Sequence, residues 1–269
     1  MLVIKNNIMA QNAARHVGTS YDNLAKSIER LSSGLRINSA KDDAAGLAVR
    51  ELMRADIAVT QQGSRNAMDA ISMLQTMEGA MGTIDSILIR MKELAEQAAT
   101  GSYSDQQRNI MNNEFTQMVA EINRIATTAN FNSVNMLNSA SGTNTIHFGV
   151  GSSVTVNSVD VQTSALGLDS ASVSSTANAA TALGLVDTAI QLKDSARASF
   201  GYMMNRLEST NEVLNIQAEN MMASESRVSD VDVATEMAAM TRNQVLAQAG
   251  VSMLGQANAM PQMALNLLR

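Results

Sequence analysis

The first part of the chain carries apolar residues in alternating steps of four and three. This spacing places its members on one face of an α-helix, in the pattern of a coiled coil. A single helix cannot bury its own stripe, so the pattern requires a partner helix. The members are Val3, Asn7, Ala10, Ala14, Val17, Tyr21, Leu24, Ile28, Leu31 and Leu35.

The same rhythm returns further along the chain and predicts a bundle of long helices. A second helix is expected over residues 44–99, and Asp42 and Asp43 precede it as caps. Ser104 and Gln107 match a capping box at the start of a third helix. The face predicted to be buried in these two helices comprises Ala70, Leu74, Met77, Met81, Ile84, Leu88, Met91, Ala95 and Ala98, then Met111, Phe115, Met118, Ile122, Ile125 and Ala129.

The last part of the chain is again helical in pattern. Periodicity resumes near Leu183, and residues 229–232 have the composition of a helix start. The final apolar stripe comprises Leu246, Ala249, Met253, Ala257, Met260, Ala264 and Leu267. Like the first stripe, it requires a partner.

The middle of the chain has a different composition, rich in Ser, Thr, Asn and Gly from residue 130 to about 181. Residues 145–150 and 154–156 read as short strands around a turn at 151–153. The low-complexity stretch 170–176 reads as a surface loop. The predicted fold class is therefore mainly α, a long helical coiled-coil bundle with a small β-hairpin region.

The composition argues against several classes of partner and site. A net charge of −6 and a pI of about 5.0 disfavour nucleic acid and anionic membranes. No cysteine is present, which excludes disulfides and thiolate sites. No stretch has the length of a membrane span, and the start does not resemble a cleaved secretion signal.

Few residues are suited to catalysis. The only histidines, His16 and His147, lie in unrelated segments, and no zinc, nucleophile-elbow or phosphate-loop motif is present. Asp42 and Asp43 are better explained as helix caps than as a carboxylate dyad. We therefore expect no enzymatic activity, no cofactor and no metal.

Runs near both ends of the chain carry a close resemblance to a known family. Residues 28–47 read IERLSSGLRINSAKDDAAGL, and residues 64–72 read SRNAMDAIS. Near the other end, residues 226–237 read SRVSDVDVATEM and residues 248–258 read QAGVSMLGQAN. These runs resemble the signatures of bacterial flagellin, and the resemblance covers roughly residues 1–169 and 183–269. Because little lies between, the chain resembles a minimal form without the variable outer domains.

The resemblance implies an architecture and a function. Residues 1–42 and 227–269 would be the inner-tube terminal helices, paired as a coiled coil. Residues 43–226 would form a helical rod domain, with a β-hairpin near 144–162 and a short variable Ser/Thr loop near 170–182. The chain would polymerise with itself into the flagellar filament for swimming motility. Its self-assembly seams would be Val17, Tyr21, Leu24, Ile28, Leu31, Leu35, Leu246, Met253, Met260 and Leu267.

Other implied partners act before or after assembly. The family is exported unfolded through the flagellar type III apparatus, which would place this chain outside the cell without a cleaved signal peptide. Its implied partners are an export chaperone, a cap protein and the hook–filament junction proteins. The flagellin-sensing Toll-like receptor would contact an innate-receptor surface at Arg90, Leu94 and Glu114.

Three other readings stay open at this stage. A hook–filament junction protein resembles flagellin at both ends but would assemble in few copies. A coiled-coil adaptor would bind foreign helices with the same seams. Some flagellins carry a catalytic insert, but residues 170–182 are too few to fold alone.

Overall fold

The computed structural model describes residues 6–149 and 151–267, and side chains as far as Met260. Within these described residues the structure has five helices and one hairpin, in agreement with the predicted class. The helices are α1 (Ile8–Ser33), α2 (Ala44–Ala99), α3 (Asp105–Thr128), α4 (Thr176–Ser229) and α5 (Val233–Leu267). The strands are β1 (Thr143–Gly149) and β2 (Ser152–Asn157). Val3 and Val150, which belong to predicted elements, lie outside the described residues.

Helix ends follow the predicted capping chemistry. Ser104 accepts a hydrogen bond from the Gln107 amide while the Gln107 side chain accepts from the Ser104 amide, which completes the capping box of α3. Asp43 caps α2 through a 2.9 Å bond from the Gly46 amide. Asp232 caps α5 by accepting from the Ala234 amide. The predicted starts of α2, α3 and α5 are therefore confirmed.

The chain divides into two compact units, residues 1–57 with 219–269 and residues 58–218. The hydrophobic core belongs to the second unit, and the predicted seam of α2 from Ala70 to Ala98 is buried within it. Phe115 and Ile122 of α3 and Phe200 and Leu207 of α4 join the same cluster. Within the described part of the first unit, the buried apolar side chains are only Ile37, Ile57 and Ala247.

Ion pairs connect α2 to α4 inside the second unit. Arg197 lies 3.1 Å from Glu78, and Lys92 lies 2.6 Å from Asp187. Lys193 is buried between the carboxylates of Asp85 and Asp194. A buried ammonium requires such partners, because desolvation without them is costly.

The hairpin is antiparallel, with Thr145 paired to Thr155 and Ile146 paired to Val154. It ends at Asn157, short of the predicted limit of 162. The following residues leave the hairpin because Val159 and Val161 donate to the carbonyls of Met136 and Leu137. The hairpin packs on α2 at Gly63, where a Cβ would overlap the Phe148 backbone.

The predicted Ser/Thr loop near 170–182 is shorter than expected, because α4 begins at Thr176. Ala179 and Ala182 are buried in the core, so this first turn is held by packing that composition does not reveal. The remaining loop is tethered, with Asn112 accepting hydrogen bonds from the Ser172 hydroxyl and the Val173 amide. Val173 itself is buried, so the interpretation of 170–176 as a surface loop is wrong for that residue.

Candidate functional site

Helices α1 and α5 pack against each other in the first unit. Along α1, the covered positions recur in steps of three and four, as expected of a coiled coil. The series comprises Ala10, Ala13, Val17, Ser20, Leu24, Ser27 and Leu31, and Arg30 beside it is also partly covered. A series with the same steps in α5 comprises Glu236, Met240, Asn243, Ala247, Gly250, Leu254 and Ala257, and Ala239, Ala259 and Met260 are also partly covered. The expected pairing of the terminal helices is confirmed.

Small residues let the two helices approach closely. A Cβ added to Gly250 would lie only 2.6 Å from Cγ2 of Val17, so the valine packs directly on the glycine backbone. Near the end of the pair, the Asn7 side chain donates to the Ala257 carbonyl at 2.7 Å. Asn7 also caps α1, because its Oδ1 accepts from the Ala10 amide. The single polar member of the predicted stripe therefore has a defined structural role.

The structure divides the predicted N-terminal seam between two faces. Val17, Leu24 and Leu31 lie on the covered face, whereas Tyr21 and Ile28 are about half exposed. The α5-facing positions three residues after Val17 and Leu24 are instead Ser20 and Ser27. Sequence reasoning missed these serines because it assigned the seam to the apolar residues four positions after Val17 and Leu24, which are Tyr21 and Ile28. Regular recurrence of small residues beside the apolar stripe was the available signal.

Leu35 lies outside the α1–α5 helix pair, and its place in a self-assembly seam stays a prediction. It lies beyond the end of α1, where it forms a β-bridge with Asp230. The Arg36 amide donates to the Ser229 carbonyl and the Val231 amide to the Gly34 carbonyl. These contacts join the segment after α1 to the link between α4 and α5.

The predicted C-terminal stripe lies mostly beside the face that packs on α1, and among its described side chains Ala257 belongs to that face. Leu246 is 51% exposed and Met253 is 64% exposed, while Met260 is partly covered. The Leu267 side chain lies outside the described residues. Sequence reasoning missed the actual contact positions, among them Ala247 and Gly250, because they are small rather than strongly apolar.

Apolar residues are distributed almost evenly around α5, in contrast to the strongly amphipathic α1. One flank of α5 carries Val233, Met237 and Val251. A second flank, separated from the first by a large rotation about the helix axis, carries Leu246 and Met253. Both flanks are exposed. A helix that is apolar on all sides is normally buried on all sides.

A groove of about 530 Å³ runs beside the helix pair. Val17 and Gly250 contribute to its lining, Leu246 and Met253 add apolar surface from α5, and His16 adds a polar side chain from α1. The groove is therefore suited to receive an apolar side chain.

Asp42 holds the turn between α1 and α2. Its carboxylate lies 2.8 Å from the Lys26 ammonium and accepts from the Ser39 and Asn38 amides. The hydrogen bond from Lys26 is the largest cause that lowers the pKa of Asp42 from 3.8 to about 2. Asp42 thus orders the turn, and the capping role belongs to Asp43 alone.

Asp42→Asn is expected to weaken this turn in a pH-dependent way. Because folding lowers the pKa, the ionised carboxylate stabilises the fold above pH 3.8, and this contribution is lost as the pH falls towards 2. Amide hydrogen exchange over residues 34–47 should therefore be faster in the variant near neutral pH and nearly equal in both proteins at about pH 2. Glu29→Gln is the matched control, since it removes a charge from an exposed site on α1. A difference that persists unchanged in acid would contradict this prediction.

The residues of the predicted receptor surface are not all accessible. Arg90 and Glu114 are exposed and joined by hydrogen bonds of 3.0 and 3.2 Å, and Arg90 also pairs with Glu93. The hydrogen bonds that Arg90 donates to Glu93 and Glu114 raise the pKa of Arg90. Leu94 is only 1% exposed and belongs to the core, so its assignment to a surface is corrected. It occupies the inward face of α2, three residues after Met91.

The described residues carry no group of three or more His, Asp or Glu side chains placed to hold a metal ion. In the part of the chain that the structure describes, no helix has the length and apolar character to cross a membrane. The α1–α5 pair offers an open packing surface, on which Leu246 and Met253 are exposed.

Comparison with protein-family models matches both parts of the chain. Residues 4–143 match the bacterial flagellin N-terminal helical region, and residues 183–268 match the bacterial flagellin C-terminal helical region. The intervening segment is the hairpin with the start of α4, which leaves no room for a further folded domain.

Related proteins match over their full length. The flagellin of Halalkalibacterium halodurans is 41% identical over 272 residues, with 100% of each chain covered. The flagellar filament 33 kDa core protein of Treponema phagedenis is 40% identical, again with 100% of each chain covered. The crystal structure of Bacillus cereus flagellin superposes with a TM-score of 0.51 at 33% identity, covering 60% of this chain and 94% of that one.

Proposed function

This chain belongs to the bacterial flagellin family, and on that premise we propose that it polymerises with copies of itself through its α1–α5 pair. It is a structural subunit of the flagellar filament. Its compact form, with no outer domain between the two family regions, makes it a minimal flagellin.

One observation carries the proposal, namely the apolar surface that α5 leaves uncovered. Helix α1 covers a single face of α5, while Leu246 and Met253 on one flank and Val251 on another remain exposed. Burying such a side chain contributes roughly 1.5–3 kcal/mol. Neighbouring copies of the chain would bury the exposed flanks of α5, and this burial would provide the free energy of association.

In the proposed assembly, one face of the α1–α5 pair contacts a different face of the same pair in the next copy. Tyr21 and Ile28 lie on the side of α1 away from the groove that His16 lines, so each copy presents unlike faces. A contact between unlike faces that does not close into a ring extends as a helical filament. In this proposal residues 1–42 and 227–269 build the inner tube, and residues 43–226 build the rod around it.

The remaining assignments rest on family membership. The subunit leaves the cell unfolded through the flagellar type III apparatus and works outside the cell as part of the filament. A chaperone holds it before export, a cap protein guides its addition, and hook–filament junction proteins connect it to the hook. The weakly covered terminal unit suits this route, because it has little core of its own to unfold.

Seeded polymerisation tests the proposed function. Purified subunits are added to filament fragments, and growth is followed by light scattering and electron microscopy. The full chain should give long filaments, whereas chains lacking residues 1–40 or 230–269 should give none, because each deletion removes one helix of the pair. A discrete small oligomer from the full chain would instead favour a hook–filament junction protein or a coiled-coil adaptor.

A second candidate role is recognition by the flagellin-sensing Toll-like receptor. The exposed pair of Arg90 and Glu114 supports it, since the two side chains form one charged patch on α2 and α3. Leu94 has no part in this proposal because it is buried.

A further inference from the structure

Methionine is abundant in this chain, with 20 residues, and among the described side chains the methionines range from fully buried to largely exposed. Met77, Met81 and Met91 in the core of the second unit are fully buried. Met253, in contrast, is 64% exposed on the flank of α5 that lines the groove. Its thioether is therefore open to small reagents in the free subunit.

We propose that Met253 is a site of oxidation by peroxide, and that its oxidation blocks entry of the free subunit into a filament. The inference rests on the proposed function, because it concerns the surface through which copies are joined. Met9 and Met237, also exposed on α1 and α5, are secondary sites of the same kind.

The chemistry is a two-electron oxygen transfer. The Met253 sulfur attacks one oxygen of hydrogen peroxide, the O–O bond breaks, and an S–O bond forms while the other oxygen leaves as water. Sulfur is oxidised and peroxide is reduced, so no further co-reactant is required. The product is methionine sulfoxide, which is polar and is reversed by methionine sulfoxide reductases.

The position of Met253 explains why the product would prevent assembly. A sulfoxide oxygen needs a hydrogen-bond donor when it is buried. Its nearest neighbours in the α5 wall of the groove, Leu246 and Ala249, have no side-chain donor, and the donors that line the groove lie on α1, at His16, Thr19, Ser20 and Asn23, or further along α5 at Asn243. Where another copy covers this flank with apolar side chains, the sulfoxide oxygen would lose its water without gaining a donor from Leu246 or Ala249. The buried core methionines would escape the reagent, so the fold of the second unit would be unaffected.

Assembly would also protect the site. Once neighbouring copies cover α5, peroxide no longer reaches the Met253 sulfur. Free subunits should consequently be sensitive and finished filaments resistant. This order of events distinguishes oxidation at the interface from general damage to the protein.

The test exposes full-length free subunits to hydrogen peroxide, removes the reagent with catalase, and adds the subunits to untreated seeds. We expect the critical concentration to rise about tenfold, equivalent to about 1.4 kcal/mol of association energy. Met253→Leu should remove most of this rise because it keeps an apolar side chain that peroxide does not oxidise. Met68→Leu is the matched control, because Met68 is 53% exposed but lies in the second unit.

Mass spectrometry of the same samples locates the sulfoxides, and circular dichroism verifies that the helices remain folded. The proposal is overturned if oxidised Met253 leaves growth unchanged, if Met253 resists peroxide in free subunits, or if Met68→Leu protects as well as Met253→Leu. Treatment with a sulfoxide reductase should restore growth. Failure of untreated subunits to grow would count against the proposed function, which separates the two ideas.

Discussion

Replacing Leu246 and Met253 together by aspartate is expected to abolish filament growth while leaving the subunit folded. Both side chains are exposed in the single chain, so the substitutions create no cavity within it. In a filament the same positions would place two carboxylates against an apolar neighbour. Loss of apolar burial and desolvation of charge together should raise the critical concentration by about a hundredfold or more.

Gln248→Asp combined with Gln256→Asp is the matched control for this experiment. It adds the same charge to exposed positions of the same helix, but these positions are already polar. Seeded growth should remain measurable in the control and disappear in the Leu246 and Met253 variant. Equal inhibition by both pairs would show that added charge alone, and not the apolar flank, limits assembly.

Leu94→Ala is expected to lower the free energy of unfolding by about 2–5 kcal/mol. Leu94 is 1% exposed and lies in the cluster that also contains Met91 and Ile122. Removing its isopropyl group leaves a cavity that long, mutually constrained helices cannot readily close. Urea unfolding of the free subunit, followed by circular dichroism, measures the change.

Arg90→Ala is the informative comparison, because Arg90 is exposed on the same helix and only four residues away. Its ion pairs are open to solvent, so its loss should hardly move the unfolding midpoint. In a receptor reporter assay, only Arg90→Ala tests the charged surface directly. Loss of signal with Leu94→Ala would follow from loss of stability. An unchanged midpoint for Leu94→Ala would contradict the buried position of that side chain.

The heptad pattern shows how far sequence alone leads. It predicted α2 with its observed limits and the buried face from Ala70 to Ala98, because steps of three and four define one side of a helix. In α1 the same pattern was ambiguous, because the apolar stripe covers more of the helix circumference than the face that packs on α5. Tyr21 and Ser20 are neighbours in sequence, and only the position of α5 decides which of them is covered.

In the middle of the chain, composition failed to predict where a helix begins. Its Ser- and Thr-rich composition indicated an irregular loop as far as residue 182, yet the helix begins at Thr176. Burial of Ala179 and Ala182 stabilises this turn, and such burial depends on residues distant in sequence. The predicted division at residues 42 and 227 concerns places in a filament and stays a prediction.

The terminal helices were the first feature of the sequence to require explanation. Sequence by itself determined that both ends are helices with apolar stripes, and its signature runs identified the family, because these properties depend on local spacing and residue type. Only the tertiary structure decided which faces meet, because Val17 packing on Gly250 depends on the register of two helices far apart in sequence. That register leaves Leu246 and Met253 exposed, and this exposed flank is where we propose that the next subunit binds.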